Sequence, residues 1–115
     1  MKMYHNPSCS KSRICLEFLQ AEKMDFVLLS YLKQPLSRQE LTVLLSKLEM
    51  SPSELVRKNE VIFKEVAKTK VLSEEDILQL MLDNPKLIER PIVEVDGKAI
   101  VARPIERLEA FLQTN

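Results

Sequence analysis

The sequence predicts a single α/β domain: a mixed four-stranded sheet built from an N-terminal βαβ half and a C-terminal ββα half, with helices inserted between them. Three observations carry this. Two apolar runs, Met1 to Tyr4 and Phe26 to Leu29 with Tyr31, flank one helix-length segment, and strands joined by a helix pair in parallel. The middle of the chain, about residues 35–89, reads throughout as capped amphipathic helices. The runs Ile92 to Val95 and Ala99 to Ala102 then flank Asp96-Gly97, a hairpin signal because Asp-Gly suits a type I′ turn.

The first strand is expected at about Lys2 to His5, followed by a turn carrying Cys9. Ser12 to about Glu22 reads as a helix with Cys15, Phe18 and Leu19 on one face. The second strand reads as largely buried. Ser37-x-x-Glu40 is a capping box, followed by Leu41, Leu44, Leu45 and Leu48 at helical spacing. Ser51-Pro52-Ser53-Glu54 is a second start signal, with proline at the first helical position. A short helix is expected over about Glu60 to Lys68. Ser73-x-x-Asp76 opens another, carrying Ile77, Leu80 and Met81 and ending at Asn84-Pro85. Gly97 is the only glycine of the chain, and it falls in the hairpin turn. Arg103-Pro104 starts a last helix with Ile105, Leu108, Phe111 and Leu112 on its buried side.

The composition narrows the function classes. A chain of 115 residues is long enough for one core. With 45% apolar and 30% charged residues it reads as a soluble globule rather than a disordered chain. Lys plus Arg equals Asp plus Glu, 17 each, so no basic excess points to nucleic acid, and an anion site must come from local clustering. No apolar run approaches the roughly 18–20 residues of a membrane span, and the N-terminus carries no signal-peptide core. Two cysteines six residues apart in a leaderless chain indicate a reducing cytoplasm rather than a disulfide scaffold. A single histidine excludes a multi-histidine metal centre. A cytoplasmic monomer without bound metal or cofactor is expected.

The order βαβ, helical block, ββα is the thioredoxin-like arrangement. That fold places a reactive cysteine after the first strand, where Cys9 stands. It also places a proline just before the third strand, beside that cysteine; Pro91 holds this position and is a cis-proline candidate. A thiol at a strand-to-helix turn receives the unpaired N–H groups and positive dipole end of the helix, which favour the thiolate. The neighbours of Cys9 are His, Asn, Pro, Ser and Lys rather than apolar residues, so it reads as reactive. Cys9-x-x-Ser12 has a serine where a dithiol motif would place its second cysteine, so reducing electrons must come from elsewhere.

Cys15 reads differently. It shares a helix face with Phe18 and Leu19, and lies about 240° around the helix from Cys9, which makes it a core residue. His5, four residues before Cys9, either assists the thiolate or is a strand-end histidine satisfied by backbone. The planar fork of arginine suits tetrahedral oxyanions. Arg90 abuts Pro91, Arg103 ends the hairpin, and Arg57 sits in Leu55-Val56-Arg57-Lys58-Asn59. Arg38 and Arg107 read as surface residues.

These residues together resemble the glutaredoxin-coupled arsenate reductase family. The landmarks are His5-Asn6-Pro7-x-Cys9-x-x-Ser12-Arg13, Tyr31-Leu32, Leu55-x-Arg57-Lys58-Asn59, Asn84-Pro85-x-Leu87-Ile88-x-Arg90-Pro91-Ile92-Val93 and Arg103-Pro104. The resemblance covers essentially the whole chain. It implies that Cys9 is the nucleophile toward arsenate, with His5 and Ser12 in the same catalytic turn and His5 helping to ionise the thiol. Arg57, Arg90 and Arg103 would hold the oxyanion. Glutathione would be the co-substrate, forming a mixed disulfide on Cys9 that glutaredoxin resolves, so no second protein thiol is needed.

After Cys9 this chain has Ser10-Lys11, as in a chromosomal branch of the family, where the best-studied branch has Gly-Thr. It stops at Asn115, soon after the last helix, without the longer C-terminal tail of that branch. Two other readings stand beside this one. One is a thiol oxidoreductase acting on glutathione mixed disulfides. The other is a regulator of this fold that binds RNA polymerase and senses oxidants through a Cys-x-x-Cys pair, a switch that Ser12 argues against.

Overall fold

Strands β1 (Lys2–Tyr4), β2 (Val27–Leu29), β3 (Ile92–Val95) and β4 (Lys98–Val101) form one sheet in the order β2-β1-β3-β4 in the computed structural model, which describes residues 1–114. Helix α1 (Ser10–Ala21) joins β1 to β2, and the two strands run parallel, as a helical crossover requires. β3 lies antiparallel to β1 with Val93 opposite Met3, and β4 antiparallel to β3. The β3–β4 turn has Asp96 at φ 49° and Gly97 at φ 81°, the two positive values that a type I′ turn demands. The architecture is the thioredoxin-like mixed sheet.

Alternation along β1 and β3 turns Met3 and Val93 to one face. There they meet Cys15 and Leu19 of α1, Ala102, and Leu108 of the last helix, α6 (Ile105–Gln113). All six are buried, and for the larger ones, Met3, Leu19, Val93 and Leu108, leaving water stabilises by about 1.5–3 kcal/mol each.

The chain divides into two compact units: Met1–Gln34 with the chain from Arg90 onward, and Pro35–Glu89. The second unit is helical. It contains α2 (Arg38–Leu48), the single turn α3 (Pro52–Leu55), α4 (Val61–Thr69), α5 (Glu74–Asp83) and a 3-10 turn over Pro85–Leu87. The capping boxes form as their spacing predicts: Glu40 N–H donates to Ser37 Oγ at 3.1 Å and Ser37 N–H to Glu40 Oε1 at 2.9 Å. A reciprocal box also starts α5, and at α3 Glu54 accepts both the Ser51 N–H at 2.9 Å and the Ser51 hydroxyl at 3.0 Å. α5 packs on α2 and α3, burying Leu41, Leu44, Leu55 and Met81.

Three details differ from the sequence expectation. β2 is not largely buried: Val27 is 55% and Leu28 45% exposed, because β2 is an edge strand with a neighbour on one side only. β1 ends at Tyr4, although the His5 N–H still donates to Leu29 O at 2.9 Å. Helix α1 starts at Ser10 rather than Ser12, which makes Cys9 its N-cap residue. Among the described residues no helix is long and apolar enough to cross a membrane.

Candidate active site

The turn between β1 and α1 is built from backbone and short polar side chains. Asn6 anchors it: Cys9 N–H donates to Asn6 O at 3.1 Å, and Ser8 N–H to Asn6 Oδ1 at 2.9 Å. That is the Asx-type turn that asparagine favours. Arg13 Nη1 donates to Pro7 O at 2.9 Å and ties the turn to the helix. Cys9 has extended backbone angles, φ −100° and ψ 123°, as an N-cap residue does. Its Sγ therefore faces the orphan N–H groups that open the helix.

That placement sets the acidity of the thiol. Burial pushes Cys9 up, but it is outweighed by the Ser12 N–H, the Arg90 side chain and the Lys11 N–H, which favour the thiolate, and by the Arg90 charge; the net shift is downward. The first turn of α1 holds no acidic residue to compete for the helix dipole. Cys9 is half-buried, so the sulfur remains open to a reactant.

Ser12 has no exposed surface. Its Oγ accepts the Asn6 N–H at 3.0 Å and lies 2.7 Å from His5 Nδ1. The residue in the place of a second redox thiol is thus the hub of the turn. Its backbone N–H favours the Cys9 thiolate while its side chain fastens His5 and Asn6. His5 is buried, and its pKa is lowered by that burial first and by the Arg13 charge second. A neutral imidazole adds no positive charge beside a thiolate, so His5 bears on Cys9 through Ser12.

The strand side of the site comes from the segment before β3. Arg90 bonds the Cys9 sulfur, and the Arg90–Pro91 peptide bond is cis. Pro91 is buried, and its carbonyl accepts the Ala102 N–H at 2.8 Å. Arg103 Nη1 donates to Arg90 O at 3.1 Å, which links the end of the hairpin to the residue that touches the thiol. The Arg103–Pro104 bond is also cis.

His5, Ser12, Cys9, Arg90 and Arg103 thus form one connected chain of contacts, with Pro91 beside them. Arg57 belongs to the helical unit. There its Nη1 is 3.5 Å from Glu60 Oε1 and its Nε 3.6 Å from Glu89 Oε1. Cys15 is fully buried among apolar residues, and burial pushes its thiol up to about 12.

Sequence reasoning did not single out Asn6, although Asn-Pro-Ser was a visible turn signal. Lys11 bears on the Cys9 thiol through its backbone N–H, a role that its side chain gives no sign of in the sequence. Glu60 and Glu89 were not noticed. Glu60 was within reach at i+3 from Arg57, while Glu89 had no local signal. Among the described residues no cluster of His, Cys, Asp and Glu could hold a metal ion.

Residues 4–111 match the ArsC family. The uncharacterized protein YfgD of Escherichia coli (strain K12) is 44% identical over 94% of this chain and 92% of its own. An arsenate reductase of Neisseria meningitidis serogroup A is 36% identical over 97% of each chain. The solved structure of an arsenate reductase from Vibrio cholerae superposes with a TM-score of 0.87 at 35% identity, covering 96% of this chain and 97% of that one.

Proposed function

The chain belongs to the ArsC family, the family of arsenate reductases, and from that premise we propose that it reduces arsenate to arsenite with electrons from glutathione and glutaredoxin. One observation carries the reading: Cys9 is the N-cap residue of α1, where two helix N–H groups and the Arg90 guanidinium lower the pKa of its thiol. The donors that favour a thiolate are also those that would receive the oxygens of a tetrahedral anion.

The Cys9 thiolate attacks arsenic, a sulfur–arsenic bond forms, and one arsenate oxygen leaves as water after protonation. Arg90 and Arg103, with Arg57 carried over from the family pattern, balance the charge of the oxyanion. A glutathione thiol then replaces a second oxygen, again released as water. As the two sulfurs join in a mixed disulfide, arsenic takes the electron pair and, adding back one water, departs as arsenite. A glutaredoxin thiolate attacks the glutathione sulfur and returns Cys9 as thiolate.

Ser12 offers a hydroxyl held by two hydrogen bonds, and Cys15 is buried with a raised pKa. Neither suits the role of an internal resolving thiol, which supports the need for outside thiols. Glutathione is kept reduced in the cytoplasm, and the reading puts the enzyme there.

The test is arsenite production from arsenate with glutathione and glutaredoxin, for the wild type and Cys9→Ser. Turnover by the wild type and none by the variant is expected. No arsenite from the wild type would overturn the reading, and residual turnover in Cys9→Ser would overturn the nucleophile. Cleavage of glutathione mixed disulfides in place of arsenate reduction would make the protein a thiol-disulfide oxidoreductase instead.

A further inference from the structure

Within the helical unit, Arg57 is held between two carboxylates by its backbone. Arg57 N–H donates to Leu87 O at 2.7 Å, Glu89 N–H donates to Leu55 O at 3.1 Å, and Val56 pairs with Ile88 between them. This short antiparallel ladder puts Arg57 opposite Leu87 and Glu89 opposite Leu55, so Arg57 and Glu89 lie diagonally across it on one face. A turn closed by Glu60 N–H on Arg57 O, 3.3 Å, brings Glu60 up from the other direction. The three side chains are 24%, 28% and 30% exposed, shielded enough for their charges to matter.

We propose that Glu60 and Glu89 make Arg57 selective for protonated oxyanions, such as hydrogen arsenate and hydrogen phosphate, over oxyanions that carry no proton, such as sulfate. The inference rests on the reading of Arg57 as an oxyanion ligand and adds how that ligand discriminates.

The distances, 3.5 and 3.6 Å, exceed the roughly 2.7–2.9 Å of a closed fork-to-carboxylate pair. Neither glutamate forms a tight bidentate pair with the guanidinium, which has five N–H donors to share. The trio carries one positive and two negative charges. A fully deprotonated anion approaching Arg57 therefore meets two carboxylates that can only accept hydrogen bonds. Arsenate and phosphate near neutral pH still bear a hydroxyl. That O–H can donate to Glu60 or Glu89 while the remaining oxygens take the Arg57 N–H groups. Sulfate can take the Arg57 N–H groups but has no proton to give, so it meets the two carboxylates with repulsion and no compensating hydrogen bond.

The experiment is calorimetric binding of arsenate, phosphate and sulfate to the whole protein, for the wild type, Glu60→Gln and Glu89→Gln. Glutamine keeps an acceptor oxygen and removes the charge. The wild type is expected to bind arsenate and phosphate about ten-fold more tightly than sulfate, the size of one charge-assisted hydrogen bond. At least one glutamine variant should narrow that ratio several-fold by gaining sulfate affinity. An unchanged ratio in both variants overturns the proposal.

The reductase reading fails separately. Arsenate reduction by a wild type that binds sulfate as tightly as phosphate would sink the filter alone. A narrowed ratio without any arsenite production would sink the reductase and leave the filter standing.

Discussion

His5 Nδ1 lies 2.7 Å from Ser12 Oγ, and this contact fastens the end of β1 to the first turn of α1 at a buried position. The hydroxyl also accepts the Asn6 N–H, so one side chain holds both strands of the turn that presents Cys9. Ser12→Ala leaves two buried polar groups without their partner. A loss of about 1–3 kcal/mol is expected, read as a lower urea midpoint.

Arg90 touches the Cys9 sulfur directly, while His5 acts through Ser12. Arg90→Ala should therefore raise the midpoint of Cys9 alkylation against pH more than His5→Gln does. An equal or larger shift in His5→Gln would show that the imidazole acts on the thiolate itself.

Burial is the larger cause of the lowered His5 pKa and the Arg13 charge the smaller. Arg13→Ala should raise the His5 value yet leave it below its ordinary 6.5. His5 is the only histidine, so one NMR titration curve reads the result. Because the folded value is depressed, the stability linked to His5 is present above 6.5 and is lost as pH falls through the folded value.

The two thiols should titrate in opposite senses. The depressed Cys9 value adds stability that is complete above the ordinary thiol value and lost as pH falls through the folded one. The raised Cys15 value adds stability that is complete below the ordinary thiol value of 9.0 and lost as pH climbs toward about 12. At pH 8 iodoacetamide should label Cys9 in the native protein and reach Cys15 only after denaturation, a pattern that mass spectrometry resolves.

Arg103 donates to the carbonyl of Arg90, so the two arginines should act as a unit. In a double-mutant cycle on arsenate affinity, Arg90→Ala and Arg103→Ala should together cost less than the sum of the two separate losses. Strict additivity would mean that the link between them carries no weight in binding.

Gly97 adopts φ 81° with open space around the position of an added Cβ. Gly97→Ala should therefore cost only the left-handed backbone strain, roughly 1–2 kcal/mol, seen as a lower thermal midpoint with arsenate affinity unchanged.

Signals that act within a few residues could be read directly from the chain. Ser37 with Glu40, Ser51 with Glu54, and Ser73 with Asp76 marked their helices because a capping box closes over three residues. Asp96-Gly97 marked the hairpin because few dipeptides accept two positive φ values. Cys9 stood out by its polar neighbours, and Cys15 by sharing a face with Leu19. The exposure of β2 was not legible in this way. Val27-Leu28-Leu29 is as apolar as a central strand, and only the sheet order makes it an edge.

The amino-acid order was thus enough for the element sequence, the hairpin, the core helix faces and the identity of the candidate nucleophile, all products of local spacing and residue chemistry. Folding settled the rest. It set Ser12 between His5 and Asn6, aimed Arg90 at the Cys9 sulfur, and tied Arg103 to the Arg90 carbonyl across 13 positions. It also placed Arg57 between Glu60 and Glu89. Burial, charge and hydrogen bonding at a point in space sum over every segment that passes there. Cys9 owes its lowered pKa to Arg90 as well as to its own helix, and no stretch of chain contains both.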